Sequence, residues 1–275
     1  MNFQQKLEKA VKKNNSLLCV GLDSDVEKMS SGTIRHPTQF SFNKAIIEAT
    51  SDLVCSYKLN TAFYESIGHL GIKALKDTCD YLMTNYPEIP IIIDAKRGDI
   101  GNTNKGYVQF VFTYLGGDAV TMHPYLGEEA IRPFLDEKDK GIFVLCRTSN
   151  SGAGEFQDIE FKIKNSKLRI NRKLRLYEYV AYQASHSWNM DRNVGLVVGA
   201  TYPEELKNVR EIAGEQMWFL VPGIGAQGGD TATTMKAGLN KKGTGLIINS
   251  SRGIIFSKDP RVEAAKLRDK INQFR

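Results

Sequence analysis

Eight short apolar runs alternate with longer amphipathic segments along most of the 275-residue chain. The runs occupy residues 16–23, 53–60, 89–96, 118–124, 141–148, 193–200, 217–223 and 245–252. They are rich in Val, Ile and Leu and end in Gly or polar residues, which is typical of buried β-strands. Residues 65–86 and 175–189 have helical length and spacing, and a closing helix is predicted at about 260–273. The chain is therefore predicted to repeat a strand–helix unit.

This repeat favours one fold class. Eight strands that are each followed by a helix predict an α/β protein with a (β/α)8 TIM barrel, which needs roughly 250 residues. An open doubly wound sheet is the alternative. We predict a single domain over 1–275, with an N-terminal helix and a long loop at about 149–173, after strand five, that crosses the mouth of the barrel. The basic residues of this loop are interpreted as a solvated face, and they are Lys162, Lys164, Lys167, Arg169, Arg172 and Lys173.

Charge and cysteine content limit the possible partners and compartment. The 37 Lys and Arg residues against 31 Asp and Glu give a net charge of +6, which suits an anionic ligand but is too diffuse to indicate nucleic acid. The four cysteines form no C-x-x-C pair and are interpreted as reduced core residues. Because the N-terminal sequence has no long apolar stretch, we expect neither a signal peptide nor a membrane span, and a cytoplasmic location.

The sequence DAKRGDIGNT (94–103) places several charges directly after a buried strand. In a barrel, catalytic groups lie at the carboxyl ends of strands. The polar residues at the ends of the eight runs are Asp23, Lys58, Asn60, Asp94, Lys96, His123, Ser149 and Arg252. Side chains two apart on a strand share a face, so Asp94 and Lys96 should converge, and alternating charges keep one another ionised. We interpret them as a catalytic array; an ion-pair network that only ties strand ends together is the alternative.

A second motif suggests an oxyanion site at the last two strands. VPGIGAQGGD (221–230) follows strand seven and NSSRGI (249–254) follows strand eight, where many barrels bind phosphate. Glycine lets backbone N–H groups approach an oxyanion, Arg252 can pair with it in a two-pronged manner, and Gln227 can donate an amide hydrogen bond. A flexible Gly-rich turn beside a surface arginine is the alternative.

The histidines give little indication of function. His123 lies in TMHPYLG, where packing or a turn explains it as well as catalysis, so it receives no proton-transfer role. His36, His69 and His186 have no partner at metal-ligand spacing, so no metal site is predicted.

Taken together, the motifs resemble the orotidine 5′-monophosphate decarboxylase family. The residues that carry the resemblance are DAKRGDIGNT (94–103), the strand-two Lys58, PGIGAQGGD (222–230) and SRG (251–253), and it extends from Asp23 to Arg252. The long segment after strand five resembles the longer, single-function subgroup. The resemblance implies decarboxylation of orotidine 5′-monophosphate to uridine 5′-monophosphate, the last step of de novo UMP biosynthesis, without a cofactor. It also implies a homodimer with shared active sites.

Carried over residue by residue, the resemblance implies a role for each matching position. Lys96 would protonate C6 of the base, Asp94 would face the substrate carboxylate, and Lys58 would complete the charged array. Asp99 and Thr103 would reach into the partner subunit's site. The other expected substrate contacts are Asp23 and Lys58 for the ribose, Ser149 for the pyrimidine with Thr148 and Asn150 as alternatives, Gln227 and Arg252 for the phosphate, and also Asn60 and Pro222.

The residue types fit this chemistry independently. Loss of CO₂ from C6 leaves a carbanion with no electron sink in the ring, so the site needs a cation and a proton donor at one place, and Lys96 can serve as both. A metal-dependent sugar-phosphate decarboxylase or aldolase on a related barrel is an alternative, but a cation at Lys58 would repel the metal. A barrel that binds nucleic acid or phosphate ligands without turnover is another, and it leaves Asp94 and Asp99 unexplained.

Overall fold

Ten strands form in two groups in a computed structural model that describes residues 1–30, 36–165, 170–224 and 228–275. In chain order the strands are β1 (Leu18–Gly21), β2 (Ser56–Asn60), β3 (Ile91–Arg97), β4 (Ala119–Met122), β5 (Gly141–Leu145), β6 (Glu160–Asn165), β7 (Ile170–Arg175), β8 (Val194–Val197), β9 (Phe219–Pro222) and β10 (Leu246–Ser250). Strands β1–β5 and β8–β10 are parallel and close into a barrel, because β1 pairs with both β2 and β10. The predicted (β/α)8 barrel is confirmed, and the open-sheet alternative is wrong.

Helices connect the barrel strands and pack around them. They are α1 (Phe3–Asn14), α2 (Val26–Ser30), α3 (Gln39–Thr50), α4 (Ala62–Glu65), α5 (Gly68–Asn85), α6 (Gly101–Val108), α7 (Gly127–Leu135), α8 (Gly154–Gln157), α9 (Leu176–Gln183), α10 (Pro203–Ala213), α11 (Thr231–Gly238), α12 (Arg252–Ile255) and α13 (Pro260–Asn272). Turns of π-helix extend α6 over Gln109–Tyr114 and α9 over Ala184–Trp188. Within the described ranges, no helix combines the length and the apolar character needed to cross a membrane.

The core lies between the barrel wall and these helices. The β3 residues Ile91, Ile92 and Ile93 are almost completely buried, as expected for a parallel strand covered on both faces. Each fully buried Ile of this kind stabilises the fold by about 1.5–3 kcal/mol relative to an exposed one. The four cysteines are buried and unpaired, and burial raises the pKa of the Cys19 thiol to about 12. They are therefore neutral core residues.

The segment expected as a loop over 149–173 contains regular structure. A 3₁₀ turn at Ser151–Ala153 leads into α8, and β6 and β7 then form an antiparallel hairpin. Ile163 and Leu174 make a small core of their own under the hairpin, separate from the main one. Because that core takes so few apolar residues, the apolar–polar alternation of β6 and β7 is hard to recognise in the sequence among their many charged residues. Lys162, Lys164 and Lys173 are solvent-exposed, whereas Lys167 and Arg169 lie outside the described residues.

Candidate active site

Four charged side chains meet at the carboxyl ends of the first three barrel strands. Lys58 Nζ donates hydrogen bonds to Asp23 Oδ1 and to Asp94 Oδ2, both at 3.1 Å. Lys96 Nζ donates to Asp94 Oδ1 at 2.6 Å. Charges alternate along this chain of contacts, and we call Asp23, Lys58, Asp94 and Lys96 the charged cluster.

Burial divides the cluster into a buried part and an exposed part. The Lys58 and Asp94 side chains are only 5% and 10% exposed, whereas the Lys96 side chain is 47% exposed. Lys58 and Asp94 are thus held within the barrel end, and Lys96 is accessible to a ligand in solution.

The backbone of β3 is irregular where it presents these groups. The step from Ile93 to Arg97 on β3 lies opposite the shorter step from Val120 to Met122 on β4, so a bulge interrupts the strand. Within it Lys96 has a left-handed φ of 47°, which is uncommon for a residue with a side chain. The predicted convergence of Lys96 with Asp94 is present, but it arises from this bulge rather than from strand alternation.

Neighbouring hydroxyl groups fix the carboxylates. Thr121 Oγ1 accepts from the Lys96 N–H at 3.0 Å and donates to Asp94 Oδ1 at 2.7 Å, so it joins the bulge to the carboxylate. Ser251 Oγ donates to Asp23 Oδ2 at 2.7 Å. A Cβ on Gly21 would lie 1.9 Å from Ser251 Oγ, so this contact requires glycine at position 21. The sequence did not single out Thr121 or Ser251, because each acts only through a partner distant in the chain.

Electrostatic interactions within the cluster determine its protonation. Burial alone would raise the pKa of Asp94, but the ammonium groups of Lys58 and Lys96 outweigh burial and hold that pKa well below its usual range. For Lys58, burial favours the neutral amine, yet the carboxylates of Asp23 and Asp94 raise its pKa above the ordinary value. Both groups are charged at neutral pH.

A cleft of about 530 Å³ opens directly above the cluster. The predicted site residues among those that line it are Asp23, Lys58, Asn60, Asp94, Lys96, Ser149, Pro222 and Arg252. Thr148 and Asn150, the alternatives to Ser149, line it too. Phe63, Gln157 and Asn249 also face the cleft and were not identified from the sequence. An amide or a phenyl ring has no distinctive spacing, so only the fold reveals these three.

Asp99 and Thr103 lie away from this cleft. Asp99 Oδ1 accepts from the Ile100 N–H at 2.7 Å, and the Asp99 backbone contacts the side chain of buried Asn104. Thr103 is exposed on α6. Within the described part of this chain neither lines the cleft, so the structure does not bring Asp99 into contact with the cluster. Gln227 lies outside the described residues.

The position between Asp23 and Asp94 is relevant to the metal-dependent alternative. Lys58 Nζ occupies it, 3.1 Å from an oxygen of each carboxylate. A divalent cation held by the two carboxylates would have to displace this ammonium group. Across the ranges that the structure describes, no group of three or more His, Cys, Asp or Glu side chains could hold a metal ion.

The closed barrel and the charged cleft at the carboxyl ends of its strands define a (β/α)8-barrel enzyme with a site for a small anionic ligand. Residues 16–267 match the family model described as the orotidine 5′-phosphate decarboxylase / HUMPS family. The chain belongs to this family.

Several proteins are similar to this chain over its full length. An orotidine 5′-phosphate decarboxylase of Dehalococcoides mccartyi is 47% identical, over 100% of this chain and 99% of the relative. One of Cellvibrio japonicus is 45% identical, over 99% of this chain and 98% of the relative. Among solved structures, that of Leishmania donovani OMP decarboxylase is similar with a TM-score of 0.86 and 38% identity, covering 100% of this chain and 99% of that one.

The ion pairs of Asp94 should make stability depend on pH. We expect Asp94→Asn to lower the free energy of unfolding at pH 7 by about 3 kcal/mol, because Lys58 loses one of its two buried carboxylate partners. The pKa of Asp94 is depressed in the folded state. The stabilisation that ionised Asp94 gives the fold is therefore complete above the unfolded-state pKa of about 4 and is lost as the pH falls below that value. In urea unfolding, the difference in unfolding free energy between wild type and Asp94→Asn should therefore be the same at pH 7.5 and 5.5 and smaller at pH 3.5. Asp191→Asn, on the surface, is the matched control, and a difference that persists undiminished in acid would contradict the assignment.

Proposed function

We propose that this chain decarboxylates orotidine 5′-monophosphate to uridine 5′-monophosphate in the cleft above the charged cluster, without a cofactor. The observation that carries the proposal is the Lys58–Asp94–Lys96 chain of contacts, which places one fixed anion and one accessible cation side by side. Family membership supports the same reaction.

Lys96 is proposed as the proton donor. When the bond from C6 to the carboxylate breaks, its electron pair stays on C6 and CO₂ departs. The Lys96 ammonium lies where this negative charge develops, stabilises it, and transfers a proton to C6. Its side chain is 47% exposed, so the neutral amine that remains can recover a proton from water after the product leaves.

Asp94 is proposed to face the substrate carboxylate. It remains ionised because of its two lysine neighbours, so a second carboxylate beside it is repelled until CO₂ is lost. Lys58 and Thr121 hold opposite oxygens of Asp94 at 3.1 and 2.7 Å, which prevents the group from turning away. The repulsion is therefore directed at the bond that breaks.

The remaining cleft residues are proposed to bind the rest of the nucleotide. Asp23, Lys58 and Asn60 would contact the ribose, and Ser149 and Pro222 the base. Arg252 at the start of α12, with Gln227, would bind the phosphate. Because the phosphate lies far from C6, its binding energy can serve to orient the substrate and exclude water, which raises the rate of the chemical step.

The metal-dependent alternative is less well supported. It requires a divalent cation near Asp23 and Asp94, and Lys58 occupies the space between them. A cofactor-free reaction also predicts that a chelator has no effect.

We propose further that the active enzyme is a homodimer with shared sites. Asp99 and Thr103 follow β3 but lie outside this chain's own cleft. Ile100 beside them is 61% exposed, and Tyr125 and Leu126 are 83% and 46% exposed, so apolar surface is available for a second copy. A two-fold interface would let each subunit place Asp99 and Thr103 in the other's site.

The first prediction from the proposed function tests the reaction and the role of Lys96. The ultraviolet absorbance of orotidine 5′-monophosphate should change on mixing with the protein in EDTA, at the same rate as without it. Lys96→Ala should lower kcat by more than the roughly 10²–10⁴ typical of general acid–base catalysis alone, because it removes both proton donor and cation. Lys207→Ala, on the exposed side of α10, controls for loss of one positive charge. An unchanged spectrum with wild type would refute the reaction, and a loss under tenfold would refute the role of Lys96.

The second prediction locates the phosphate. Arg252→Ala and Gln227→Ala should each lower kcat/KM for orotidine 5′-monophosphate by about tenfold or more, since each removes a hydrogen bond to an ionised group. Orotidine, which has no phosphate, should be converted equally slowly by wild type and both variants. Lys258→Ala, exposed just beyond α12, is the charge-matched control. Equal losses for the two substrates would place the phosphate elsewhere.

The third prediction tests the shared site. Lys96→Ala and Asp99→Asn, each poorly active, are unfolded and refolded together so that subunits mix. A mixed dimer would then hold one site with both defects and one with neither, so random pairing should restore roughly a quarter of wild-type activity. Each variant refolded alone is the control. If Asp99 acts within its own subunit, every site keeps a defect and mixing restores nothing.

A further inference from the structure

The segment after β5 brings an additional amide group to the cleft. Thr148, Ser149 and Asn150 lie in the loop after β5, and Gln157 is the last residue of α8. All four residues line the cleft. Gln157 contacts Thr148 at both its backbone and its hydroxyl group. The hydrogen bonds of Gln157 therefore link α8 to Thr148 and, through the Thr148 hydroxyl, to Asn150.

The Thr148 backbone determines which way the Gln157 amide faces. A backbone N–H can only donate, and the Thr148 N–H donates to Gln157 Oε1 at 2.9 Å. Gln157 Nε2 consequently lies toward the Thr148 hydroxyl and donates to Oγ1 at 2.9 Å. The orientation of this amide is fixed by a group that cannot reverse its role.

The Thr148 hydroxyl transmits this orientation to Asn150. Having accepted from Gln157, the hydroxyl has one proton to donate, and Asn150 Oδ1 at 2.7 Å is closer than Gln157 Oε1 at 3.3 Å. The carbonyl oxygen of Asn150 is thereby occupied. Among the hydrogen bonds of the described residues, none uses Asn150 Nδ2, which leaves two N–H donors on a residue that lines the cleft.

An ion pair between buried Arg147 and partly exposed Asp158 holds α8 in position for this network. Arg147, 3% exposed, lies 3.1 Å from Asp158, the residue after Gln157, and donates to the Thr148 carbonyl oxygen at 3.1 Å. Its guanidinium group lies over the Tyr202 ring, 4.0 Å from the centroid. Arg147 thus joins the loop after β5 to the end of α8, so Gln157 cannot easily move away from Thr148.

We propose that Gln157 is a positioning residue that orients Asn150 so that its N–H groups, rather than its carbonyl oxygen, face the bound base. This inference rests on the proposed function, which places a pyrimidine nucleotide in the cleft. A donor at this point fits the carbonyl oxygen at ring position 4 of uracil. The amino group at the same position of cytosine is itself a donor and is left unpaired against Asn150. The network therefore selects a uracil-type base.

The decisive variant is Gln157→Glu. A carboxylate still accepts from the Thr148 N–H but cannot donate to the Thr148 hydroxyl, which then donates to the carboxylate and releases Asn150 Oδ1. In calorimetric titrations, we expect the affinity for UMP to fall about tenfold and that for CMP to change less than about twofold. KM for orotidine 5′-monophosphate should rise while kcat changes little, because the hydrogen bonds of Gln157 go to Thr148 and not to Asp94 or Lys96. Gln216→Glu, exposed at the amino-terminal end of β9, is the matched control.

Asn150→Asp tests the same network without altering Gln157. The introduced carboxylate would offer only acceptors, so this variant should lose the preference for UMP over CMP. The variant with both substitutions should lose about as much of that preference as either single variant, because the two residues act in one network. If Gln157→Glu does not fold by circular dichroism, this variant at an exposed position carries the test. Unchanged UMP-to-CMP ratios in both variants, with wild type decarboxylating normally, would overturn this inference alone. Discrimination by wild type without decarboxylation would overturn the proposed function and leave the inference intact.

Discussion

The organisation of the active site depends on one interaction, the placement of the Asp94 carboxylate between the ammonium groups of Lys58 and Lys96. A buried carboxylate is unfavourable by itself, and it remains ionised here because two cations and a hydroxyl group surround it. If either lysine were absent, the remaining charges of the cluster would be under-compensated beside the buried Asp94 carboxylate. The same arrangement leaves Lys96, the most exposed of these groups, accessible from the cleft.

The barrel supports this interaction by backbone geometry as much as by side chains. The bulge in β3 gives Lys96 a left-handed conformation and turns it toward Asp94, and Thr121 on the next strand ties the bulge in place. Ser251 follows β10, the strand that pairs with β1, and the absence of a side chain at Gly21 on β1 allows Ser251 to reach Asp23. A residue in a sparsely populated conformation at a functional site persists only because the surrounding structure holds it there.

The segment between β5 and β8 forms a second, separate set of contacts beside the cleft. Its hairpin has a small core of its own, yet the contacts of Arg147 with Asp158 and of Gln157 with Thr148 connect α8 to the loop after β5 that lines the cleft. Under the proposed function, the chemistry is assigned to β3 and recognition of the base to the loop after β5. Substitutions in this segment would then alter recognition without disturbing the charged cluster.

The sequence by itself determined the barrel and the chemistry-bearing residues of β2 and β3. Eight buried strands at regular intervals leave few other folds, and charges at strand ends must meet where parallel strands end together. It did not determine the hairpin, whose core is too small to give a clear apolar alternation, or the roles of Thr121, Ser251 and Gln157. Thr121 and Ser251 act through Asp94 and Asp23, which are 27 and 228 residues away in the chain. Gln157 contacts Thr148, nine residues earlier in the segment after β5, only because that segment folds back on itself. Hydroxyl and amide groups occur throughout any sequence, so only the tertiary structure, by fixing which donor faces which acceptor, decided which of them belong to the site.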